Sequence, residues 1–95
     1  MTVDEFTTTL GQPQPPAGLH PILEALWYDA GDQWAKAHDI AQSREGVAEY
    51  DRLHAYLHRK EGDQWNAGYW YRRAKAPVFS GSLEEEWREL VGNYI

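Results

Sequence analysis

The sequence predicts an all-α protein: two stacked antiparallel helical hairpins followed by a C-terminal capping helix. The tetrapeptide Gly-Asp-Gln-Trp occurs at Gly31–Trp34 and again at Gly62–Trp65, and self-similarity at a separation of about thirty residues marks stacked helical hairpins. Apolar residues on both sides of each copy recur at spacings of three and four, the period of one helix face. Gly and Asp at the junctions are residue types that close one helix and open the next.

Taken in order, Thr2 and Glu5 have capping-box spacing, and Val3, Phe6 and Leu10 follow at helical intervals, which predicts a short N-terminal helix. Residues 11–18 carry three prolines and two glycines and read as an extended linker, because proline has no N–H and clashes with the preceding helical turn. Residues 1–18 therefore read as an N-terminal arm, and residues 19–95 as a single helical-repeat domain. The first helix is expected over Pro21–Ala30, with Ile22, Ala25, Leu26 and Asp29 on one face. Gly31 is expected to take the left-handed C-terminal position and Asp32 to cap the second helix, Gln33–Ser43, which turns Trp34, Ala37, His38 and Ala41 inward. A third helix over Val47–Glu61 buries Tyr50, Leu53, His54 and Leu57, and a fourth from Asp63 to Lys75 buries Ala67, Trp70, Tyr71 and Ala74. After the break at Pro77 and Gly81, Ser82 and Glu85 form a second capping box. The last helix then places Leu83, Trp87, Leu90 and Val91 inward and pairs Glu84 with Arg88 on its outer face.

The chain has 95 residues, enough for one small domain, and its five Trp and six Tyr supply buried area from few positions. The absence of cysteine rules out disulfides and thiolate metal sites. No apolar run approaches the roughly 20 residues of a membrane span, and residues 1–10 lack the pattern of a secretory signal, so a cytoplasmic location is expected. A net charge of −6 argues against nucleic acid or an anionic membrane as partner. The segment 52–75 nevertheless carries Arg52, Arg59, Lys60, Arg72, Arg73 and Lys75 against Glu61 and Asp63. It reads either as pairing with the acidic ends or as a local anion site.

Small residues order the repeat. Ala25 and Ala37 are twelve apart, as are Ala55 and Ala67, which gives a period of thirty, whereas the tetrapeptide gives thirty-one. The alanine frame is the better description of the packing, since a larger side chain there would push a hairpin apart. From Leu53 onward the spacing of Ala55, Gly62-Asp63, Ala67, Tyr71, Ala74 and Pro77 resembles a tetratricopeptide repeat. More closely, the segments Ala25-Leu26-Trp27-Tyr28, Ala37-His38, Ala41-Gln42, His54-Ala55-Tyr56-Leu57-His58-Arg59, Glu61-Gly62-Asp63, Asn66-Ala67, Tyr69-Trp70-Tyr71-Arg72-Arg73-Ala74 and Glu86-Trp87 resemble a small family of uncharacterised bacterial proteins built as tetratricopeptide-like helical hairpins. The likeness covers most of residues 18–95. It implies the fold and assigns no activity.

Two groups of side chains carry chemistry. His54 and His58 are four apart and share a helix face, Asp51 lies three residues before His54, and stacked hairpins are expected to bring His38 and Glu24 towards them. Imidazoles at this spacing with a carboxylate can hold Zn²⁺ or a similar ion, or move a proton; equally, such groups satisfy one another in a core. The glutamate that directly follows the first histidine in zinc-protease helices is missing. Tyr69, Arg72 and Arg73 interleave a ring with guanidinium groups on the flank of the fourth helix, and Trp27, Trp34 and Trp65 are candidate interface anchors. There is no Gly-rich phosphate loop and no nucleophile elbow, and Ser43, Ser80 and Ser82 all fall at breaks, which speaks against serine chemistry. The leading expectation is a non-enzymatic module, without a cofactor, that binds a protein or peptide in the concave face of the hairpins or self-associates. The competing expectation is a histidine-lined metal or acid/base pocket.

Overall fold

In the computed structural model, which describes residues 1–95, the chain is all α-helical with short connections. Helix α1 spans Val3–Thr8 and runs into a 3-10 turn, Thr9–Gly11; then come α2 (Pro21–Ala30), α3 (Trp34–Gln42), α4 (Ala48–Lys60), α5 (Gln64–Arg73) and α6 (Leu83–Gly92). Both capping boxes form: the Thr2 and Ser82 hydroxyls accept from the N–H groups of Glu5 and Glu85, whose carboxylates accept in return from the cap N–H. No helix is long and apolar enough to cross a membrane.

Helices α2, α3, α4 and α5 pack serially, each on the next. The side-chain contacts give the directions. The start of α3 meets the end of α4, where Trp34 Nε1 donates to the Leu57 carbonyl at 2.8 Å. The end of α5 meets the start of α4, where Arg73 approaches Asp51. The ends of α2 and α4 lie side by side, with the Tyr56 hydroxyl donating to Asp29 Oδ2 at 2.7 Å. Neighbours in sequence are thus antiparallel, and α2 and α4 are parallel. Ala25, Ala37, Ala55 and Ala67 are all buried, so the helix crossings are as tight as the alanine frame requires.

The two turns obey that frame and not the repeated tetrapeptide. The Gln33 N–H donates to the Tyr28 carbonyl and the Asp63 N–H to the His58 carbonyl, both at 2.9 Å, a Schellman closure at positions thirty apart. The left-handed residue is therefore Asp32 (φ 60°) in the first turn and Gly62 (φ 87°) in the second. This corrects two expectations. Gly31 keeps φ −92°, and Gln33, without a side-chain cap bond, stands where Asp32 was expected to cap α3. Asp63 does cap α5, accepting from the Asn66 N–H at 3.1 Å. One residue of offset is about 100° around a helix. Trp34 consequently turns into the α3–α4 seam, while Trp65 points outward and is 75% exposed.

Helix α6 lies on the face shared by α2 and α4. Trp87 Nε1 donates to the Leu26 carbonyl at 3.0 Å, and Leu90 and Val91 are buried. Glu86 is fully buried beneath Arg59 (2.7 Å), Arg52 (2.8 Å) and the Tyr71 hydroxyl. These pairs, with Lys60 on Asp29 at 3.0 Å and Arg73 4.0 Å from Asp51, take up four of the six cations of the middle segment, so internal pairing accounts for most of that charge. Leu83 is exposed rather than inward, and Arg88 bonds Asp4 at 2.9 Å instead of Glu84. That bond helps to dock α1 on α6. Phe6, fully buried, packs its ring against Trp87, and Trp27, expected at the surface, is buried with its indole N–H on the Thr9 carbonyl and hydroxyl. Residues 1–10 therefore share one core with the later helices, joined to them by the extended linker.

Candidate metal centre

Where α3 crosses α4, three imidazoles meet. His54, in the middle of α4, is 2% exposed; His58 stands one turn further on and His38 opposite on α3. One ring nitrogen of each lies within 4.8 Å of the other two. His38 Nε2 and His54 Nε2 are 2.9 Å apart and share a hydrogen bond, so one ring offers its N–H and the other its lone pair. Buried Ala37 and Ala41 on α3 let the two helices approach this closely.

Aromatic rings clamp the group. Trp34 stacks on His38 at 4.7 Å with an interplanar angle of 14°, and Trp70 stacks on His54 at 3.9 Å and 17°. Outside Trp70, the Arg73 guanidinium sits 4.9 Å from the ring centroid. Burial disfavours the imidazolium, and His38, His58 and Arg73 add positive charge nearby. Together they push His54 down to about 3. His38 is lowered as well, by burial first and then by His58. At neutral pH both rings are thus uncharged, the state in which imidazole ligates a metal. His54 Nδ1 is buried without a hydrogen-bond partner.

The third ring is oriented from outside. His58 Nδ1 lies 2.5 Å from Glu61 Oε1. A carboxylate that accepts from Nδ1–H fixes the tautomer with its lone pair on Nε2, which is how carboxylates orient metal-ligating histidines. Glu61 was read from sequence as a helix-end residue; its position three after His58 was the available signal. Asp63, on the far side, is taken up by capping α5.

Of the residues expected here, His38, His54 and His58 converge. Glu24 does not join them, because α2 contributes its end to α4 and not to the α3–α4 crossing. Asp51 is also elsewhere: its carboxylate accepts from the Gly46 N–H at 3.0 Å and so closes the α3–α4 loop. Trp34 is half-buried and bonded into the site, whereas Tyr69, Arg72 and Arg73 lie on the outer side of α5, with Trp65 stacked on Tyr69. No protein-family profile, curated protein or solved structure matches the chain.

Proposed function

We propose that the protein binds a divalent transition-metal ion, of the zinc class, through His38, His54 and His58. The convergence of three imidazole nitrogens within 4.8 Å of one another carries the reading. Tetrahedral zinc holds nitrogen ligands about 3.3 Å apart, given Zn–N bonds near 2.0–2.1 Å. The 2.9 Å separation of His38 and His54 thus needs only a slight opening, with the metal taking the place of their shared proton. Three protein ligands leave a fourth position for water or another ligand, the pattern of zinc sites that do chemistry. Proton transfer by the imidazoles alone is less well supported, since a base near 3 is far from the poise that acid/base work at neutral pH requires.

The test is Co²⁺ and Zn²⁺ titration of chelator-stripped protein. Binding of about one equivalent, with the visible absorption of tetrahedral Co²⁺, supports the site. Its loss in each of His38→Ala, His54→Ala and His58→Ala, with His20→Ala unaffected, assigns the ligands, because His20 caps α2 through Nδ1 at 3.1 Å from the Ile22 N–H. Stoichiometric binding that survives His54→Ala would end the proposal, as would no binding at all.

A second reading, docking of a protein or peptide partner or self-association, is supported by the outer face of α5. There Trp65 is 75% exposed and stacked on Tyr69, with Arg72 and Arg73 alongside. Helix α6 packs on α2 and α4, which leaves the outer face of α5 as the surface for this reading. If α5 mediates self-association, size-exclusion elution should depend on concentration, and Trp65→Ala should abolish that dependence without changing helicity.

A further inference from the structure

Helix α5 packs on α4 through a buried stripe of Ala67, Trp70 and Tyr71. At about 100° per residue, the opposite stripe is Trp65, Gly68, Tyr69 and Arg72. Trp65 is 75% exposed, and Tyr69 and Arg72 are exposed with it. Gly68 is the unexpected member. Glycine weakens a helix interior relative to alanine, and Gly68 keeps a helical backbone, not the left-handed one that would call for glycine. Space does not call for it either: a Cβ there would meet only the flexible end of Arg72, at 3.5 Å. Nothing within one chain requires glycine at this position, whereas the close approach of a second backbone does.

The stripe is self-complementary about its own midpoint. Trp65 and Arg72 stand equally far from the point between Gly68 and Tyr69, on the centre line of the stripe, with Gly68 on one flank and Tyr69 on the other. A twofold axis through that point sets a second helix antiparallel and returns each flank to its own side. Trp65 then meets Arg72 of the second copy, a cation over an indole face, and the contact occurs twice. Gly68 meets Gly68, where two bare backbones can touch, and Tyr69 meets Tyr69. Charge selects the same direction. Asp63 caps the start of α5 while Arg72 and Arg73 close its end, so antiparallel copies bring unlike ends together and parallel copies like ends. We infer that the outer face of α5 pairs with a second copy of itself, antiparallel, in a twofold dimer that crosses at Gly68. This rests on the second reading above, in which α5 mediates self-association, and adds its direction and register. A contact built on one helix of 10 residues lies at the low end of specific interfaces, so the dimer is a weak one.

Sedimentation velocity of the full chain, from micromolar to millimolar concentration, reads the equilibrium. EDTA is present throughout, so that no histidine-bound metal bridges two chains. Wild type is expected to pass from monomer to dimer and no further, because a twofold contact closes on itself. Trp65→Ala and Gly68→Gln should each raise the dissociation constant at least about tenfold, the effect of losing an interface anchor. Gly68→Gln should at the same time raise the urea midpoint, since glutamine is the better helix former, which separates a lost dimer from a lost fold. The chain has no cysteine, so single cysteines report the register. Under mild oxidation Gly68→Cys should form a disulfide-linked dimer, which needs Cα atoms within about 7 Å. Arg72→Cys should not, because its two copies stand about 10 Å apart along the helix axis. Undiminished association in Gly68→Gln, no disulfide in Gly68→Cys, or a disulfide in Arg72→Cys would each overturn the pairing, while association that Trp65→Ala still abolishes would keep α5 as the face. A chain that stays monomeric at every concentration, species larger than a dimer, or a dimer indifferent to Trp65→Ala would overturn the pairing together with self-association through α5.

Discussion

Identical residues in the two copies of Gly-Asp-Gln-Trp do different physical work. Gly62 holds φ 87°, a conformation that costs any residue with a Cβ about 1–2 kcal/mol, whereas Gly31 sits at −92° with only ordinary contacts around an added Cβ. Gly62→Ala should therefore destabilise the protein by about 1 kcal/mol, while Gly31→Ala should be neutral or stabilising by up to about 1 kcal/mol. Urea unfolding of both variants checks this, and equal losses would return the packing to the tetrapeptide frame. The tryptophans differ in the same way: Trp34→Phe removes the bond to the Leu57 carbonyl and should cost about 1 kcal/mol, and Trp65→Phe should cost almost nothing. At the proposed metal centre, Glu61→Gln should weaken Zn²⁺ binding about 10- to 100-fold while leaving the three ligands in place, measured by competition with a chromogenic chelator.

The helices themselves are held largely by local signals. Capping boxes start α1 and α6, Asp63 starts α5, and Pro21 with the His20 ring starts α2. These caps also set an acid limit. The carboxyls of Glu5, Glu85 and Asp63 are held below their ordinary values, in each case chiefly by the backbone N–H they accept from. A depressed folded-state pKa contributes stability that is present above the unfolded value, near 4.5 for Glu and 3.8 for Asp, and lost as pH falls below it. The urea midpoint should accordingly decline as pH falls through about 4.5, and Glu5→Gln with Glu85→Gln should flatten that decline. Ser82→Ala should cost about 1 kcal/mol at any pH above it.

At the scale of the whole molecule, α6 decides what the α2–α5 helices present to their surroundings. It seals the α2–α4 face with Trp87, Leu90 and Val91, and Glu86 pins it to α4 and α5 through Arg52, Arg59 and Tyr71. Removing one partner of such a buried network leaves uncompensated charge. Glu86→Ala should cost about 3–5 kcal/mol, whereas replacing Glu86, Arg52 and Arg59 together by Leu and Met should recover most of that loss. Thermal and urea unfolding of the two variants provide the measurement. Docking of α1 against α6, through Phe6 on Trp87, completes the same core.

The sequence by itself determined the all-α class, the helices to within about two residues, the buried alanine crossings and the histidine pair at i, i+4, because periodicity, caps and proline act within a few residues along the chain. The tertiary structure alone decided that His38 completes the cluster while Glu24 stays away, that Glu61 orients His58, that Trp27 is covered by Thr9, and that α6 packs on α2 and α4. Those outcomes depend on which faces of separate helices meet and on a one-residue difference between two turns. Local spacing carries no record of either, since a rotation of about 100° per residue sends identical side chains to opposite environments.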